Sequence, residues 1–141
     1  MRAKKIRFHP LSPQLKLRVN LNCEKLCTLA SVEVEKTLLA LPKPLRVRAE
    51  KLPVTLERQP NADLQAEGIE PDTLGLFTGP EFADQEHVPL PPQIILFLEN
   101  IWKFAERDEQ VFRAEVRTTF LHELGHYFGL DEDGLAERNL D

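Results

Sequence analysis

HELGHYFGLDED, residues 122–133, is the stretch on which the fold of this chain turns. Two histidines stand four apart, a glutamate follows the first, and a glycine and an acidic cluster come just beyond. On a helix, positions i and i+4 share a face. The spacing therefore predicts that the His122 and His126 imidazoles converge on one metal ion, with Glu123 at the flank of that face. This is the helical H-E-x-x-H pattern of zinc sites. The plain alternative is an amphipathic helix with two exposed histidines. Gly125 adds a small pointer: glycine inside a helix costs about 1 kcal/mol relative to alanine, which suits close approach of a neighbouring backbone.

Working upstream, the same helix extends back to residue 109. Phe112, Val116, Phe120, Leu124 and Phe128 form an i+4 series, supported by Leu121, that predicts a stripe packed on a sheet. Asp108 is a suitable N-cap, and Gly129 is placed to end the helix in a left-handed conformation. Before it, QIILFL (93–98) is a continuous apolar run, read as a buried central strand, with Trp102 and Phe104 in a short turn after it. LGLFT (74–78) is a strand candidate closed by Gly79–Pro80. A polar, acidic stretch, QPNADLQAEGIEPDT (59–73), is expected to be a loop, and loops of that length are often functional.

The N-terminal half is less sharply patterned. Residues 1–20 read as an irregular basic arm with a short strand near Leu15–Val19. Helical spacing runs from Cys23 to Leu41, and Pro42 and Pro44 stop it. Residues 45–52 fit a helical turn or a strand, and Pro53–Arg58 fits a strand with Val54 and Leu56 on one face. The two cysteines, Cys23 and Cys27, lack the second pair that a zinc knuckle needs and read as thiols on one helix face. Residues 1–58 carry 13 Lys/Arg against 5 Asp/Glu, while residues 59–141 carry 5 against 18. Either the halves pack and neutralise each other, or the basic half meets an anionic partner.

At 141 residues, 42% apolar and 29% charged, the chain is expected to be one globular domain spanning 1–141. No apolar run approaches membrane-spanning length, and the basic start lacks the apolar core of a secretory signal, so a cytoplasmic location without membrane association is expected.

A catalytic zinc uses three protein ligands and leaves a fourth position to water. His122 and His126 supply two. Gly129 allows a sharp turn, and Glu132, ten positions after His122, stands where a third ligand is expected, with Asp131 and Asp133 as rivals. His9 and His87 are remoter candidates whose simplest reading is solvated loop histidine. Zinc lowers the pKa of its water to about 7, and Glu123 is placed to take the proton as general base. If residues Leu74, Gly75, Leu76, Phe77 and Thr78 form an edge strand beside the metal helix, an extended peptide could pair with them by strand addition.

From LGLF (74–77) through QIILFLENIWKFA (93–105) to FLHELGHYFGLDEDGLAERNL (120–140), the chain resembles the small bacterial zincin-like metallopeptidases, or minimal zincins. That resemblance implies a compact α+β fold: a small mixed sheet flanked by an N-terminal helix and a long active-site helix. It also implies one zinc ion at His122 and His126, with Glu123 as catalytic acid–base. The family commonly carries Asp at the third position, where this chain has Glu132. Full metzincins have a methionine turn beneath the metal, whereas the only methionine here is Met1. Little chain follows His126, so a narrow or modest peptidase is expected, acting on a peptide or protein substrate. Two other functions fit the sequence: an inactive zincin-fold module that binds partners through the acidic loop 61–72, and a metal-dependent RNA hydrolase whose basic half holds phosphates.

Overall fold

The computed structural model describes residues 2–3, 24–79 and 92–129. In chain order its elements are β1 (Arg2–Ala3), α1 (Glu24–Ala40), α2 (Lys43–Ala49), β2 (Val54–Glu57), α3 (Ala62–Ala66), β3 (Gly75–Thr78), β4 (Gln93–Phe97), α4 (Leu98–Phe104) and α5 (Glu109–Tyr127). The fold is α+β. Four strands form one mixed sheet in the order β1-β3-β4-β2, with β2 parallel to β4 and the other two pairings antiparallel.

The apolar run of β4 follows from burial on both sides. Its residues alternate between faces, as the pleat requires. Ile94 and Leu96 join Val54, Leu56 and Phe77 in the main core, under α1, α4 and α5. Ile95 and Phe97 point the other way and meet Leu76 and Ile69, with Leu64 of α3 packed against them. The expected central strand is therefore present. On α5, Phe112, Val116, Phe120, Leu121 and Leu124 are buried and Phe128 packs at the margin. Asp108 caps the helix by accepting a hydrogen bond from the Val111 amide at 2.9 Å. Gly129 follows the C-cap Phe128 with φ 78°, the left-handed conformation expected of it.

α1 ends before Pro42 and Pro44 as expected, and of the two readings of 45–52 the helical one holds: the same prolines open α2, because a helix's first turn does not use its amide donors and tolerates proline there. Three expectations need correction. The 59–73 stretch contains α3, capped by Asn61, whose side-chain oxygen accepts from the Leu64 amide. That segment covers the second face of the sheet rather than standing off it. Trp102 and Phe104 belong to α4, which starts directly at Leu98, not to a short turn. Finally, β3 is not the sheet edge: Arg2 and Ala3 pair with Phe77 and Leu76 on its outer side. The strand expected near Leu15–Val19 lies outside the described residues, as does Cys23, while Cys27 is buried in the core.

Candidate metal centre

The last two turns of α5 carry the site. Three turns of buried apolar residues upstream fix this helix against α1 and the sheet, so the positions of the polar residues near its end are set by helical pitch. The His122 and His126 rings lie with centroids 4.7 Å apart and planes at 79°. One ligand atom from each of His122, Glu123 and His126 lies within 4.8 Å of the others. Among the described residues this is a group whose donors suit a divalent cation: two imidazoles and a carboxylate.

Burial sharpens the chemistry. Glu123 is 0% exposed and His122 6%, while His126 is half-buried. Taking a carboxylate out of water is costly, and a cation held among these donors would offset part of that cost. His126, facing outward more than the other two, gives the group its contact with solvent.

The strand beside the site is β3. Tyr127 follows His126 directly, is itself buried, and its ring lies 5.9 Å from that of Phe77 at a 60° tilt. Phe77 thus ties the strand to the last turn of the helix. The approach to β3 is fixed from its other end by Asn100 of α4. The Asn100 amide Nδ2 donates to the carbonyls of Pro71 and Thr73, both at 2.8 Å, holding the residues that lead into the strand.

A family model described as zincin-like metallopeptidase matches residues 49–140. This chain belongs to the zincin-like metallopeptidase family. No curated protein and no solved structure matches it. The match opens at the last residue of α2 and runs past the end of α5, so the zincin-like region includes β2, β3, β4 and the helix that carries the donors. The family implies a metal, typically zinc, and the donor set on α5 fits one by residue type and by mutual distance.

The structure brings His122, Glu123 and His126 together, as the spacing predicts. Glu132, Asp131 and Asp133 lie outside the described residues, as do His9 and His87. In the 74–78 segment Gly75, Leu76 and Phe77 are buried, and only Leu74 and Thr78 are half-buried, so its side chains serve the core more than a cleft. Sequence reasoning overlooked Tyr127 and Asn100. The signal for Tyr127 was its place beside His126, and for Asn100 a polar residue between the apolar positions Leu98 and Ile101. No helix among the described residues is long and apolar enough to cross a membrane.

Proposed function

We propose that this zincin-like protein is a zinc-dependent peptidase, in which His122, His126 and Glu132 hold the metal and Glu123 moves the proton. The observation that carries this is the convergence of two imidazoles and a buried carboxylate within 4.8 Å on one helix of a zincin-like chain. Zinc, when bound, polarises the scissile carbonyl and makes a water more acidic. Glu123 accepts the proton as the water oxygen attacks the carbonyl carbon, and delivers it to the nitrogen that departs when the C–N bond breaks. The place of Glu123 on the metal helix, with a carboxylate oxygen within 4.8 Å of a ring nitrogen of each imidazole, supports this role. The left-handed Gly129 supports the third-ligand assignment by turning the chain at the helix end, three residues before Glu132.

The test pairs metal analysis with cleavage of a peptide library. One zinc per chain is expected in the native protein. Glu123→Gln is expected to keep that zinc and lose cleavage by about 10²–10⁴-fold, the usual contribution of a positioned acid–base group. His122→Ala and Glu132→Ala are each expected to weaken zinc binding. Cleavage unchanged in Glu123→Gln removes that residue from the chemistry, and cleavage that survives chelation removes the metal. An absence of turnover with metal bound favours the partner-binding module.

A further inference from the structure

A cavity of about 360 Å³ opens between α4 and the residues that lead into β3. Among the described residues it is lined by Asp72, Leu74, Asn100, Lys103 and Phe104. That volume lies within the range of roughly 300–1,000 Å³ typical of small-molecule sites. The Leu74 carbonyl accepts from the Phe97 amide at 3.0 Å, which puts the cavity at the opposite end of β3 from the contact between Phe77 and Tyr127. Its lining shares no residue with the donor trio on α5.

The lining sorts by chemistry. Leu74 is half-buried and Phe104 is 59% exposed, so both offer apolar surface to an occupant. Asp72 and Lys103 bring one carboxylate and one ammonium, both on exposed residues. Lys103 stands 3.7 Å from Glu99, against 2.8 Å for Arg58 and 2.7 Å for Gln59, so it is the least committed of these three to that carboxylate. A carboxylate has about four lone-pair sites, so Asp72 can take a ligand's donor beside any other it serves. Asn100, only 8% exposed, adds an acceptor of fixed direction. Its Nδ2 donates to the Pro71 and Thr73 carbonyls, a task only the amide nitrogen can perform, so Oδ1 is the atom left for an occupant. We propose that this cavity binds a small apolar zwitterion, a free amino acid or a dipeptide. The Asp72 carboxylate and the Asn100 Oδ1 take its ammonium, the Lys103 ammonium takes its carboxylate, and Leu74 and Phe104 cover its side chain. The site goes beyond the peptidase reading and does not depend on a bound metal.

The experiment titrates the full chain with L-leucine and, separately, with leucyl-leucine, following backbone amide shifts by NMR. Saturable shifts are expected at Leu74, Lys103 and Phe104, with His122 and His126 unmoved. Tighter binding of leucyl-leucine assigns the cavity to a dipeptide, and tighter binding of leucine to a free amino acid. N-acetyl-leucine lacks the ammonium and leucinamide lacks the carboxylate. Each is expected to bind at least about tenfold more weakly than leucine, the usual loss when a hydrogen bond to a charged group goes unmade. Asp72→Asn is expected to shrink the preference for leucine over N-acetyl-leucine, and Lys103→Gln the preference for leucine over leucinamide. Each of these substitutions changes an exposed residue, and each leaves the other preference in place. No saturation by either zwitterion overturns the proposal, as do shifts confined to the metal helix. Equal affinity for leucine, N-acetyl-leucine and leucinamide overturns it too, because the two charges would then not be read.

Discussion

Gly79 is a residue where the backbone leaves little room. It closes β3 with φ 109°, and a Cβ built there would stand 2.7 Å from the Pro92 Cα. That neighbour is backbone and cannot rotate away. Gly79→Ala is therefore expected to destabilise the protein by about 2–3 kcal/mol, combining backbone strain with the clash, as a urea melt would measure. Local signals of this kind were legible in the sequence. Asp108 and Gly129 could be assigned as helix ends because capping depends on the residue itself. The H-E-x-x-H trio was legible for the same reason, since its geometry needs only a helix. The turn into α5 was not. Glu106 and Arg107 both take positive φ, 55° and 60°, which is a conformation that neither side chain advertises.

At the scale of elements, legibility depended on whether an element is justified by its own pattern or by its neighbours. β4 could be read as central because burial on both faces leaves no polar position in its middle. α4 carried a signal that its directness concealed. Leu98, Ile101, Trp102 and Ala105 fall at i, i+3, i+4 and i+7, but the first of them also ends the apolar run of the strand. β1 had no readable pattern, because two residues become a strand only when a partner is there to pair with them. Asn100 shows how these elements are coupled. Its two hydrogen bonds hold the residues before β3, and the Thr73 carbonyl it serves is buried. Asn100→Ala is expected to cost about 1–3 kcal/mol by leaving that acceptor unmet. Amide exchange should accelerate in β3 more than in β2, whose pairing with β4 the substitution leaves in place.

At the scale of the whole molecule, opposed charges of the two halves meet at two points among the described residues. Lys25 of α1 lies 4.0 Å from Glu109 of α5. Arg58 donates through Nε to Glu99 at 2.8 Å, Gln59 donates to the other carboxylate oxygen at 2.7 Å, and Lys103 stands 3.7 Å away. Partial burial pushes the Glu99 carboxyl up, but the hydrogen bonds from Arg58 and Gln59 and the charges of Arg58 and Lys103 outweigh it, leaving the group below its ordinary 4.5. A carboxyl depressed by folding contributes stability above its unfolded value, and that contribution fades as pH falls through the folded value. Thermal melts of the unaltered chain and Glu99→Gln should therefore differ near pH 7, by under about 1 kcal/mol for so exposed a network. The two curves should converge as the pH drops below 4.5.

His122, Glu123 and His126 lie within five consecutive positions of a single helix. The pitch of that helix is thus the ruler for the donor set, and the ruler moves as one piece. Drift in the sheet or in α1 would translate the trio bodily without spreading it. The surroundings are free to diverge while the spacing of the two imidazoles and the carboxylate is inherited intact.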